Sequence, residues 1–214
     1  MKRIFLYILL NFLFLNLAIA EEINDNLFGI KLGNKYISDE GELSDYFNKN
    51  NLFEVTNKYE KLKKNKNFND YYLVTNEFSI IKFISGMYSN SIFAKYFEDK
   101  CYSKQDDLKM TLINYHDLNK RKFKRNFYME KLEDDYRLHR SDEFQFKYEG
   151  NKINLVLDCS YYLSPSTHDE TGTVTWRFTL SLIDDDFYNN TFKRNFKNIK
   201  KFDKSLILSD LSGF

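Results

Sequence analysis

No motif in this sequence marks a phosphate cradle, an activated nucleophile or a set of metal ligands. Gly29 and Gly33 in "LFGIKLG" suggest the start of a phosphate loop, but no Gly-Lys-Ser/Thr follows to supply its backbone cradle. No G-x-S-x-G elbow occurs, and His116, His139 and His168 each stand apart in sequence from a candidate nucleophile. Two cysteines and three scattered histidines do not reach the ligand spacing of a zinc site. The acidic runs Glu133-Asp134-Asp135 and Asp184-Asp185-Asp186 lack the alternating oxygens, bend glycine and distal Glu of a calcium loop, and read as strand ends. His168 with Asp169 and Glu170 could make a metal or acid–base pair, though a flexible hairpin loop is the simpler reading, and a glycosidase-like carboxylate pair stays open while nothing in the sequence says which two carboxylates would form it. No catalytic, cofactor or metal residue is therefore assigned, and no cofactor is expected.

One-sided charge is also missing. The chain carries 32 basic and 31 acidic residues, so nothing in it demands a polyanionic partner. Proline occurs once and glycine seven times, while Asn, Lys, Ile, Phe and Tyr abound. An AT-rich genome produces that bias without functional pressure, so composition is a poor guide to function.

A long apolar run is absent as well. Ile4 to Leu17 is short of the roughly 20 apolar residues that span a bilayer, and Asn11 and Asn16 interrupt the opening segment. Lys2 and Arg3, the apolar core and Ala18-Ile19-Ala20 instead follow the order of a secretory signal cut after Ala20, an uncleaved anchor being the competing reading. Residues 1–20 are expected to be the signal peptide and residues 21–214 a single domain, large enough to bury a core. An exported protein rarely meets nucleic acid, so none is expected as partner. In an oxidising compartment the even pair Cys101 and Cys159 is most simply one disulfide, worth about 4 kcal/mol in the chain-entropy account.

Along the mature chain, Leu27 to Leu32 reads as a strand, and Ser38 or Asp39 as the cap of a helix carrying Leu43, Tyr46 and Phe47. "LFEVTNKYEKL" and "DYYLVTNEFSIIKFI" contain three antiparallel strands with a turn at Asn76-Glu77. From Asn90 to Leu118 the period changes: Phe93, Phe97 and Cys101, then Leu108, Leu112 and Tyr115, lie on a helical stripe, as one helix or as two broken near Ser103. Asp106 and Asp107 suit the first turn of a second helix. "DEFQFKYEGNKINLVLDCSYYL" is a hairpin turning at Glu149-Gly150, and "TVTWRFTLSLI" alternates so cleanly that one face is expected to be wet. The fold expected is α+β, an antiparallel β-sheet packed on one or two amphipathic helices, with the disulfide tying helix to sheet.

The segment 191–204, "TFKRNFKNIKKFDK", places Phe192, Phe196 and Ile199 on one helical face. Lys193, Arg194, Lys197, Lys200, Lys201 and Lys204 surround that face, and Thr191 stands as cap. Such a basic amphipathic helix either packs its phenylalanines on the sheet or meets a partner or an anionic lipid surface.

"DNLFGIKLGNKYISDE" after the signal, "YYLVTNEFSIIKFI" and the helix "FEDKCYSKQDDLKMTL" together resemble small uncharacterised exported proteins of AT-rich alphaproteobacteria. The resemblance spans about the first half of the mature chain. It implies a periplasmic location and an α+β domain, and carries no activity. In a secreting eukaryote Asn189-Asn190-Thr191 would instead be a glycosylation acceptor. The reading that results is a non-enzymatic periplasmic or secreted domain that binds a protein or envelope component. The alternatives are a lipid-surface protein using 191–204 and a hydrolase of unrecognised site.

Exported protein is expected to begin at Glu21 when its intact mass is measured by mass spectrometry; a membrane-bound species retaining Met1 would establish the anchor instead.

Overall fold

A computed structural model describes residues 25–36, 44–46, 50–55, 62–93, 96–115, 123–131, 136–163 and 173–198. The chain opens with a short hairpin, β1 (Asn26–Leu27) and β2 (Ile30–Lys31), turned by Phe28 and Gly29 at positive φ. Four strands follow in a meander: β3 (Ser44–Tyr46), β4 (Asn50–Glu54), β5 (Asp70–Thr75) and β6 (Ile81–Phe93). A single helix, α1 (Phe97–Tyr115), leads to a second meander of β7 (Lys124–Lys131), β8 (Tyr136–Tyr148), β9 (Asn151–Leu163) and β10 (Thr173–Asp184). A short helix α2 (Asp185–Asn190), a 3-10 turn (Phe192–Asn195) and β11 (Phe196–Asn198) complete the described chain.

The two meanders fuse where β10 pairs antiparallel with β6, from Thr173 opposite Phe93 to Ile183 opposite Phe83. The result is one antiparallel sheet of nine strands in the order β11-β7-β8-β9-β10-β6-β5-β4-β3. Four antiparallel steps separate β6 from β7, so the two run in the same direction and their link must travel back along the sheet. α1 is that return.

Alternation along the strands decides which side α1 covers. Trp176, Phe178, Leu180 and Leu182 of β10 share a face with Leu155, Leu157, Cys159 and Tyr161 of β9 and with Leu73 and Ile84, and all are buried. Against this face α1 sets Cys101, Gln105, Leu108 and Leu112, which recur at helical spacing and are buried as well. Cys101 and Cys159 form the expected disulfide, their Cα atoms 6.0 Å apart.

At the β5–β6 end an aromatic cluster replaces the helix. Phe28 meets Phe68 and Tyr71 edge-on at 5.3 and 5.0 Å between ring centroids, and Phe68 stacks on Phe178 at 5.9 Å. These rings lie directly on Gly86 of β6, where an added Cβ would come within 2.6 Å of Phe28 Cζ and 2.9 Å of Phe68 Cγ.

Several local expectations give way to tertiary context. Ser44–Tyr46 is a strand rather than part of a helix, pairing with Asn50–Leu52. Residues 90–93 continue β6, because β10 offers ladder partners as far as Phe93. The helix does not break near Ser103. Gln105 fills the gap in the apolar stripe, its Nε2 donating to the carbonyls of Arg140 (2.9 Å) and Leu157 (2.8 Å), which leaves Asp106 and Asp107 in mid-helix. No helix runs through 192–198: after the 3-10 turn, Phe196–Asn198 adds to the open edge of β7, whose backbone groups need partners. Thr191 makes no side-chain cap. The polar face of β10 is wet only towards its start: Thr175 is exposed, Arg177 and Thr179 are half-buried and Ser181 is buried. The signal segment 1–20, His116, Glu133-Asp134-Asp135, His168 and residues 199–204, with Lys200 and Lys201, lie outside the described residues. Among the described residues no helix is long and apolar enough to cross a membrane.

Gly86→Ala is expected to lower unfolding free energy by about 1–3 kcal/mol, because two packed rings, Phe28 and Phe68, must shift to admit one methyl group. Urea denaturation checks this, and an unchanged midpoint would refute the packing described.

Candidate functional site

The face of the sheet away from α1 carries a polar ladder that antiparallel register assembles. His139 of β8 lies opposite Ser160 of β9, and Ser160 opposite Arg177 of β10. One row along, Ser141 faces Asp158 and Asp158 faces Thr179, while Arg137 lies between Glu130 of β7 and Tyr162 of β9. His139 is held at both ring nitrogens, with Nδ1 2.8 Å from Asp158 Oδ2 and Nε2 3.4 Å from Glu130 Oε2. Arg137 Nη1 donates to the same Glu130 oxygen at 3.0 Å, and its Nη2 donates to the Tyr162 hydroxyl. Phe196 covers the His139 ring at 4.8 Å and meets Phe192 edge-on at 5.3 Å. Between this cover and the sheet is a cavity of about 120 Å³, bounded by Arg137, His139, Ser160, Arg177, Phe192 and Phe196 among others.

With a carboxylate at each ring nitrogen, His139 serves as donor on both sides and is an imidazolium. Burial alone would depress its pKa, but the charges and hydrogen bonds of Asp158 and Glu130 outweigh it and push the group up to about 9. The Glu130 carboxyl is held below its ordinary value although burial opposes this, because His139 and Arg137 favour its charged form. Ser, His and Asp thus do meet here, yet in the wrong order for acyl transfer. The Ser141 hydroxyl donates to Asp158 Oδ1, and no free imidazole nitrogen remains to take its proton. Among the described residues no group of three or more His, Cys, Asp and Glu side chains is placed to hold a metal ion.

A second ionic group fastens α1 to the other face. Asp142, whose side chain is 1 % exposed, accepts from Arg125 Nε (2.9 Å) and Nη2 (2.8 Å) and from Lys109 Nζ (3.1 Å). Asp106 accepts from Arg140 Nη2 at 2.9 Å on both carboxylate oxygens, and its pKa lies below the ordinary value: burial raises it, and Arg140 and Arg125 more than reverse that. Every charge in this group is paired, which marks it as a fastening rather than a site.

Alongside α1 runs an open groove of about 870 Å³, bounded by Tyr96, Leu108 and Thr111 and by two acids and two bases, Asp99, Asp107, Lys100 and Lys104, among others. That is the size of pockets that take small ligands or chain segments. Lys104 projects from α1 over the Tyr88 ring, its Nζ 3.8 Å from the centroid, and has no carboxylate within ion-pair distance among the described residues. Burial depresses its pKa. Tyr96 and Met110, large side chains 46 % and 52 % exposed, belong to the same helical region.

Of the contact residues expected in 191–204, Phe192 and Phe196 turn towards the sheet, where Phe192 stacks on Phe83 at 5.7 Å and on Tyr188 at 5.8 Å. Lys193 pairs with Glu143 at 3.0 Å and lies over the Tyr188 ring at 4.4 Å. Arg194 and Lys197 fall within described backbone, in the 3-10 turn and β11. Sequence reasoning missed the polar ladder, although the signal for it was present. Once the turn at Glu149-Gly150 sets the β8–β9 register, His139, Ser141, Asp158 and Ser160 must share one face. Compared with known proteins, the chain matches no family model, no curated protein and no solved structure.

The raised His139 pKa contributes stability that is complete below its unfolded value of 6.5 and is lost as pH rises through about 9. Urea unfolding is expected to lose on the order of 3 kcal/mol across that window. His139→Gln, less stable throughout, should lack this slope; an equal slope in the variant would show that another group titrates.

Proposed function

We propose that this protein is an exported binding domain without chemistry of its own, which recognises a protein or envelope component through the groove beside α1. The observation that carries the reading is Lys104, a half-buried cation set into that groove on an aromatic ring with no acidic partner among the described residues. A half-buried cation that neither of the groove's own acids, Asp99 and Asp107, pairs with favours a ligand that brings the opposite charge. The occupant is therefore an acidic group on a larger molecule, with Tyr96 providing apolar contact area.

The disulfide between α1 and β9 is compatible with an oxidising compartment and supports export to the periplasm or beyond. The inward packing of Phe192 and Phe196 argues against a lipid-surface role for 191–204, because those rings are the apolar face a membrane would need. The direction of the Ser141 hydrogen bond argues against hydrolysis at the polar ladder.

A photo-crosslinking residue placed at Thr111 in the full-length protein is expected, in cells, to trap an envelope component that Lys147, on the exposed end of β8, does not trap. Lys104→Glu should remove the adduct while leaving the melting temperature nearly unchanged. Equal trapping at Lys147, or an adduct indifferent to Lys104→Glu, would overturn the reading.

A further inference from the structure

Around the cavity under Phe192 and Phe196 three cations face two carboxylates, Glu130 and Asp158, which line it as well. Asp158 is held by His139 and Ser141, and Glu130 by Arg137 and His139, both through Oε2. Arg177 is left over. Its guanidinium carbon is 5.1 Å from the centre of the Tyr162 ring, which Arg137 approaches at 4.4 Å, so two like charges share one ring while only one has a carboxylate. The Nε–H of Arg177 is buried and has no hydrogen-bond partner, and the same holds for Arg137 Nε. The half-open cavity beside them is also lined by Ser160 and Thr179. Unused donors, an excess positive charge and a partly covered space therefore coincide.

We propose that this cavity binds one small oxyanion, through Arg177 with the hydroxyls of Ser160 and Thr179, beneath the cover of Phe192 and Phe196. A volume of about 120 Å³ admits roughly four waters, at ~30 Å³ each, and hence an anion with about as many non-hydrogen atoms. Acetate, with four such atoms, matches that size, and phosphate and sulfate, with five, fill it. A carboxylate suits the planar guanidinium fork, and a tetrahedral anion makes fuller use of the two hydroxyls. The site is separate from the groove beside α1, and occupancy of either does not depend on the other.

The test is titration of the folded full-length chain with sodium acetate, phosphate or sulfate against sodium chloride at constant ionic strength, followed by calorimetry and by amide NMR shifts. One of the three oxyanions should bind saturably with one site per chain, shifting amides around Ser160, Arg177 and Thr179, and which one binds separates a carboxylate ligand from a tetrahedral one. Arg177→Met should weaken it at least tenfold. Should that variant fail to fold, Thr179→Val, which keeps shape and removes one donor, is expected to weaken binding severalfold at unchanged circular dichroism. General salting effects stabilise any protein without saturating. A response that does not saturate, that chloride reproduces, or that survives both substitutions would overturn the proposal.

Discussion

The pairing of β10 with β6 is the interaction on which the rest depends. Each meander alone is a four-stranded ribbon formed from near neighbours in sequence; the β6–β10 ladder converts two ribbons into one continuous sheet and sets strands from the two halves side by side. It also places β9 and β10 at the centre, where both faces are covered. Once β6 and β10 are joined, β6 and β7 must run the same way and α1 must cross the intervening strands. The disulfide and the twin hydrogen bonds of Gln105 then hold that crossing in place at β9.

Covering both faces has a chemical consequence. A polar side chain in such a strand loses water and needs an internal partner, or costs about 1–3 kcal/mol. On the α1 face one ionic network closes on itself: Asp142 takes Arg125 and Lys109, and Asp106 takes Arg140 and Arg125, while the uncharged Trp176 Nε1 and Gln105 Oε1 are buried without a partner among the described residues. On the opposite face the pairing is incomplete. Asp158, His139, Glu130 and Arg137 satisfy one another, yet Arg177 ends at a cavity with unused donors. The contrast between a finished network and an unfinished one distinguishes structural fastening from readiness to bind, and the same reasoning applies to Lys104 in the groove.

The covering of the second face is itself a local compromise. Asp184 accepts from the Phe187 amide at 3.2 Å and starts α2, which brings Phe187 and Tyr188 down onto Val74, Val156 and Ile183. The 3-10 turn then swings Phe192 and Phe196 over the polar ladder before β11 closes the edge of β7. Lys193, drawn to Glu143 between two tyrosine rings, anchors the turn from the side. The apolar cover and the buried charges beneath it depend on each other, since removing the cover would return water to the ladder and weaken its ion pairs.

Alternation of apolar residues was enough to establish the strands of the last third, the inward direction of Cys159 and the helical stripe through Cys101, because these follow from periods of two and 3.6 residues along the chain itself; the disulfide needed in addition the expectation of an oxidising compartment. The same residues were silent on β11 and on the extension of β6 to Phe93, where an open ladder edge outweighs a helical spacing of phenylalanines. Nor did they reveal that Thr179 and Ser181 would be withdrawn from water, or that His139 would meet Asp158 and Glu130. Period-two patterning says which side chains share a face of a strand; only the strands and turns brought from elsewhere decide what covers that face, which charges it meets there, and which donor is left without a partner.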